Sequence, residues 1–383
     1  MINIKQFSEF LSTNGVELIT GVPDTLLNDF CLYIENNWPN NKHIIAANEG
    51  NAVALAAGYY LATDTVPLVY MQNSGIGNTI NPLVSLTYED VYSIPMVLLI
   101  GWRGDPAKKD HAQHQKQGEL TPTLMDDMNI PYKVLEDDTE NALKSIDWAI
   151  KNAKKYSKPT TLIVKKGVLE KGEKDAFKDE SSSLLTREEA INCILNVIPR
   201  DSIVVASTGR ATRELYELRN IRREKHENDF LNVGAMGHTS SIATGIALGT
   251  DRTVVCLEGD SSAIMHLGAF TTTGIAKPTK FIHIILNNGV HESVGGQKSA
   301  GFSANLTNIA ANSGYKTLDN AIKRESDINR ALEKLLQTDG PSFLEIIIRQ
   351  GIRADMPPLN FNLKEAKEEL MKNLQYNNQS KHD

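Results

Sequence analysis

The chain has 383 residues, 41% of them apolar and 23% charged, with 40 basic against 47 acidic side chains and a formal charge of −7. That length supports two full cores, and the acidic balance argues against the concentrated basic face that nucleic acids and anionic membranes require. No apolar run nears the ~18 residues of a bilayer span, and "MINIKQFSEFL" lacks a signal peptide's basic start and apolar centre, so a cytoplasmic protein is expected. Cys31, Cys193 and Cys256 are widely spaced and odd in number, which reads as reduced, buried thiols rather than a disulfide or metal framework.

Taken in chain order, short β-rich runs alternate with helical stretches. The first half offers "ELITGVP" (17–23), "HIIAAN" (43–48), "VPLVYMQN" (66–73), "IPMVLLIGW" (94–102), "YKVL" (132–135) and "TTLIVKK" (160–166). The second half offers "SIVVAS" (202–207), "DFLNVG" (229–234), "TVVCLEGD" (253–260), "FIHIILNN" (281–288), "YKTL" (315–318) and "SFLEIIIR" (342–349). These runs are continuously apolar, as strands of a parallel sheet covered on both faces should be. The fold class expected is α/β, with two doubly wound parallel-sheet domains: residues 1–166 and 186–361, joined by a charged, serine-rich linker over 167–185. Thr186 and Glu189 have capping-box spacing for the helix that opens the second domain. Residues 362–374 read as an amphipathic helix, and the polar tail to 383 as disordered.

Two junctions carry chemistry. In "IIAANEGNAVALAAGYYLA" (44–62) a strand turns into an alanine-rich helix, and Glu49 stands in the turn among apolar neighbours. Strand-to-helix turns at the carboxyl edge of a parallel sheet are where such folds bind ligands. A helix-capping acid would suit the same position. In "CLEGDSSAIMHLGAF" (256–270) a strand ends in Gly259-Asp260-Ser261-Ser262, and the next strand ends in Asn287-Asn288-Gly289. Neighbouring parallel strands finish at one edge, which sets Asp260 beside Asn288, two hard oxygen ligands suited to Mg2+ with phosphate oxygens completing the shell. The small residues at the helix start offer amides and hydroxyls to phosphate.

This second stretch resembles the thiamin diphosphate signature, a Gly-Asp-Gly triplet followed some two dozen residues later by Asn-Asn, with Ser261 standing where the signature has glycine. Together with "GVPDTLL", "ANEGNAVALAAGY", "QNSGIGN", "LLIGWRGDP", "QHQKQG", "VGAMGHTSSIATGIALG" and "NNGVHESVGGQ", in that order, it resembles the phosphonopyruvate decarboxylase family over nearly the whole chain. That family is a compact branch of the thiamin diphosphate decarboxylases, close to the sulfopyruvate decarboxylases. It has a pyrimidine-binding domain, a diphosphate-binding domain and no middle domain.

The resemblance implies thiamin diphosphate and Mg2+ as cofactors and a small 2-oxo acid as substrate, with active sites at the interfaces of a homodimer or larger homo-oligomer. Glu49 would share a proton with the cofactor's pyrimidine ring, a role that burial in an apolar turn favours by raising the carboxyl pKa. Asp24 and His114 would stand near the reacting carbonyl. Ser74, Thr208, Gly209 with Arg210, Gly234, Met236, Gly259, Ser261, Ser262, Glu292 and Ser293 would surround the cofactor, with Met236 under its bend. Asp260, Asn288 and the Val290 carbonyl would ligate Mg2+. Arg103, Lys298 and Arg353 are candidates for the substrate's second anion. His111 and His114 could alternatively be a metal pair, but no third ligand follows at suitable spacing. A nicotinamide dehydrogenase is disfavoured because neither half carries a complete Gly-x-Gly-x-x-Gly turn. Sulfopyruvate as substrate, a carboligase and an inactive cofactor-binding subunit are the remaining alternatives.

Overall fold

The computed structural model describes residues 1–172 and 183–379. The chain divides into two compact units, residues 1–176 with 293–297 and residues 177–292 with 298–383. In the first unit, β1 (Ile19–Gly21), β2 (His43–Ile45), β3 (Leu68–Gln72), β4 (Val97–Gly101), β5 (Tyr132–Val134) and β6 (Thr160–Val164) form one sheet in the order β2-β1-β3-β4-β6-β5. Every pairing is parallel. The two faces of each strand feed separate cores: Leu68, Tyr70, Val97 and Leu99 join one, and Val69, Met71, Leu98 and Ile100 the other. That division explains why the strands read as unbroken apolar runs rather than alternating ones.

The second unit repeats the plan with β7 (Ile203–Ala206), β8 (Asp229–Leu231), β9 (Val254–Gly259), β10 (Phe281–Asn287) and β11 (Ser342–Ile347), again all parallel, in the order β11-β10-β9-β7-β8. Of the six strands expected in this half, "YKTL" is reduced to a single parallel bridge between Lys316 and Ser342. Tyr315 is buried among Phe270, Phe281 and Phe343, so this segment is held by ring packing rather than by a ladder. The bridge occupies the edge beside β11, the counterpart of β5 beside β6. Counted this way, both sheets share one strand order.

Thr186 caps the helix Arg187–Val197 through the reciprocal capping box with Glu189. The helix Leu363–Gln379 runs through most of the tail expected to be disordered. Residues 375–379 contain no glycine or proline to stop it, and 380–383 lie outside the described residues. No helix among the described residues is long and apolar enough to cross a membrane.

Candidate active site

In the first unit, Asp24, Glu49, Ser74 and Arg103 follow β1, β2, β3 and β4, so all four stand at the carboxyl edge of the sheet. Glu49 is the first residue of the helix Glu49–Thr63, yet it does not cap it: Asn48 does, its side chain accepting from the Asn51 amide. The Glu49 carboxylate is 1% exposed, and its Oε2 accepts from Asn78 Nδ2 at 2.7 Å. Gly75 makes room for the group, since a Cβ there would lie 2.3 Å from Oε1. Burial raises the carboxyl pKa, and hydrogen bonds from the Asn78 side chain and from its own backbone amide offset only part of that. An acid whose charged form is disfavoured by burial, held by a neutral partner and freed of capping duty, can share a proton with a ring nitrogen.

Asp24 is fully buried, and desolvation pushes its pKa up to about 6 despite the Leu26 amide and the charge of Arg103. Its Oδ1 has no hydrogen-bond partner among the described residues, an open acceptor at the edge where substrate is expected. Arg103 turns one edge of its guanidinium to Asp110, with Nε and Nη2 donating at 2.8 and 2.7 Å. Asp110 also accepts from the amides of Gly104 and His111, and it is held well below the usual carboxylate range chiefly by Arg103. The arginine is therefore already half neutralised.

His114 is half-buried in the helix Ala112–Asp127, and desolvation lowers its pKa to about 4, so it is a neutral imidazole at pH 7. His111 lies exposed at the start of that helix. Neither histidine belongs to a group of possible metal ligands among the described residues, where the group found is Cys256, Glu258 and His283. Ser74 accepts a hydrogen bond from Gln72 Nε2 at 2.5 Å. Sequence reasoning missed Asn73, 1% exposed, whose amide donates to the Arg103 carbonyl and Thr121 and accepts from the Arg103 amide. It braces the loop that carries Arg103.

In the second unit, β9 and β10 pair in register with Gly259 opposite Leu286, so Asp260 and Asn288 leave the two strand ends one position apart, and the Asn288 amide hydrogen-bonds the Asp260 carboxylate. Asp260 opens the helix Asp260–Met265 and is 2% exposed. Desolvation raises its pKa to about 6, and the groups that oppose the rise are neutral: the Ser299 hydroxyl and the amides of Asn288, Asp260 and Ser261. Ser261 Oγ lies 3.4 Å from the Val290 carbonyl, bringing that oxygen to the same corner. A carboxylate, an amide oxygen and a backbone carbonyl form a hard donor set fitted to Mg2+. Ser261 has no positive φ, so serine in place of the signature glycine costs no backbone strain.

Thr208 and Gly209 follow β7, and Gly209 at φ +104° turns the chain into the helix Arg210–Ile221. Arg210 Nε is buried without a partner among the described residues, a donor directed at no acceptor of the chain. A cation with an open Nε donor at the positive end of a helix suits a diphosphate. Next to Gly234 and Met236, Ala235 adopts φ +47°, a left-handed residue of the kind that functional turns retain.

Three expectations change in detail. The Glu292 carboxylate is engaged by Arg187 and the Gly351 amide, so its side chain is not open to the cofactor expected there. The Ser262 hydroxyl donates to Glu258 at 2.7 Å, leaving its amide, while Ser293 is exposed. Arg353 pairs with Glu188, Glu217 and Asp355, so it is not held ready for a substrate anion. Lys298 is exposed and forms an antiparallel bridge with Val290.

Sequence reasoning also missed the buried pair His283–Glu258, 2.9 Å apart, which tethers β10 to β9 and, through Ser262, to the helix at Asp260. Position alone hinted at it, since His283 faces Cys256 across the two strands.

Comparison with known proteins bears on both units. The model of the thiamine pyrophosphate enzyme N-terminal TPP binding domain matches residues 4–128, and that of the C-terminal TPP binding domain matches residues 207–346. The chain is 33% identical to the phosphonopyruvate decarboxylase of Streptomyces viridochromogenes, over 92% of this chain and 89% of that protein. It is 32% identical to that of Streptomyces hygroscopicus, over 92% and 88%. The sulfopyruvate decarboxylase of Methanosarcina acetivorans is 27% identical over 94% of each chain.

Proposed function

The chain belongs to the phosphonopyruvate decarboxylase family of thiamin diphosphate enzymes, and from that premise we propose that it converts 3-phosphonopyruvate to phosphonoacetaldehyde and CO2. The observation that carries the reading is Glu49: a carboxyl 1% exposed, at a strand-to-helix turn, hydrogen-bonded to a side-chain amide rather than to a cation. When bound, thiamin diphosphate supplies the nucleophilic carbon that adds to the 2-oxo group and the electron sink that loss of CO2 requires.

The chain's own residues bind, orient and move protons. Glu49 holds a proton toward the cofactor's pyrimidine nitrogen, where its raised pKa matches the task. Asp24 and His114 exchange protons with the reacting carbon and oxygen, a role supported by the raised pKa of about 6 and unpartnered Oδ1 of the first and the neutral imidazole of the second. Thr208, Gly209 and Arg210 hold the diphosphate, while Asp260, Asn288 and Val290 hold Mg2+. Ser74, Gly234, Met236, Gly259, Ser261, Ser262, Glu292 and Ser293 contribute surface and backbone around the cofactor. Arg103 and Lys298 provide positive charge for the phosphonate.

The same reading makes the active form a homodimer or larger assembly in the cytoplasm. Its support is apolar surface on two helices of the first unit, Leu55 and Leu61 on one and Ile80 and Val84 on the next, all at least one-third exposed.

The test is to incubate the protein with thiamin diphosphate, Mg2+ and phosphonopyruvate and follow the phosphorus resonances. A new aldehyde phosphonate signal is expected, and its absence overturns the assignment. Because the sulfopyruvate relative covers 94% of the chain, kcat/KM on sulfopyruvate is measured beside it. Phosphonopyruvate is expected to be the better substrate.

A further inference from the structure

The segment 298–301 folds over Asp260 in a way that fixes how that carboxylate can meet a cation. Lys298 bridges Val290, the Ser299 amide donates to the Gly289 carbonyl at 2.9 Å, and the Asn287 side chain donates to the Gly301 carbonyl at 2.8 Å. Between these anchors the Ser299 hydroxyl accepts from the Gly301 amide at 3.0 Å and donates to Asp260 Oδ2. The direction is set by chemistry, because an amide can only donate and a hydroxyl has one proton to give. Oδ2 is also walled in: a Cβ on Gly301 would lie 2.3 Å from it. Oδ1 has no side-chain donor among the described residues, only backbone amides near the carboxylate, and is the oxygen able to turn toward a metal.

We infer that Ser299 is a positioning residue that makes Asp260 a one-oxygen ligand and thereby biases the site toward Mg2+ over Ca2+. The inference rests on the Mg2+ site proposed above. Mg2+ demands six short, octahedral bonds and takes carboxylates through one oxygen. Ca2+ gains from six to eight longer bonds and often takes both. A carboxylate with one oxygen capped by a hydroxyl and backed by a glycine suits the first cation and withholds a bond from the second. Outer partners of this kind alter metal affinity by roughly 10–100-fold.

The experiment is calorimetric titration of the full chain with Mg2+ and, separately, Ca2+, each in the presence of saturating thiamin diphosphate. The wild type is expected to bind Mg2+ at least as tightly as Ca2+. Ser299→Ala frees Oδ2 and is expected to move the ratio of the two dissociation constants about tenfold toward Ca2+. Ser299→Thr, which keeps the hydroxyl, is expected to hold the wild-type ratio. An unchanged ratio in Ser299→Ala, or a shift in Ser299→Thr as large as in Ser299→Ala, overturns the inference while leaving the metal site standing. Failure of the wild type to bind either cation overturns the site itself.

Discussion

Asp24 is a carboxyl that folding works against. With a folded pKa of about 6 against ~3.9 for a free aspartate, its contribution to stability is complete below about pH 4. That contribution is lost as pH rises through about 6. The gap of about two pH units corresponds to about 3 kcal/mol, an order-of-magnitude cost borne at neutral pH. Asp24→Asn is therefore expected to raise the melting temperature by several degrees at pH 7.5 and to leave it nearly unchanged at pH 4, while turnover falls. Thermal melts at the two pH values check this, and an equal gain at both would contradict the cause assigned.

Asp24, Glu49, Asp260 and Asn288 were legible in the sequence because each lies within four residues of a strand end, where position follows from local pattern. Asn73, Ser299 and the pair His283–Glu258 were not. Their partners lie 30, 39 and 25 residues away, and only strand order and loop path bring them together. The partners of Arg353 were hidden for the same reason, and nothing in "GIRAD" announces Glu188 or Glu217.

At the level of elements, the site depends on loops held against rigid strands. The loop after β4 lies on the helix Ala112–Asp127: Trp102 Nε1 donates to the Gly118 carbonyl at 2.9 Å, and a Cβ on Gly118 would lie 1.7 Å from the Gly104 carbonyl. Gly118→Ala must therefore push the loop and Arg103 away, at a cost of about 1–3 kcal/mol. A several-fold rise in KM is expected alongside the lower melting temperature, and a variant with unchanged kinetics would show that the loop does not serve the substrate. Of the twelve runs read as strands, eleven form strands among the described residues. "YKTL" misled because a sheet edge beside an aromatic cluster needs β-forming residues without needing a full ladder. The terminal helix extends into residues read as a tail because the polarity that suggested disorder does not itself end a helix.

Across the whole molecule, two units with one strand order present their chemistry in the same way, each at the carboxyl edge of a parallel sheet. The proposed assembly would put pyrimidine-binding and diphosphate-binding groups on different subunits, and Leu61 and Val84, 68% and 39% exposed, are surfaces that it would cover. Leu61→Lys and Val84→Lys leave the unit's core untouched. Sedimentation is expected to show the wild type as a dimer or larger and these variants shifted toward monomer with matching loss of activity. A fully active monomer would contradict the shared site.

The most direct test of the central claim is Glu49→Gln, assayed for turnover of phosphonopyruvate and, on the same preparation, for thiamin diphosphate binding by calorimetry. The account predicts that turnover falls by ~10²–10⁴ while cofactor affinity stays within a few-fold of the wild type. A variant that turns over substrate at the wild-type rate would contradict it.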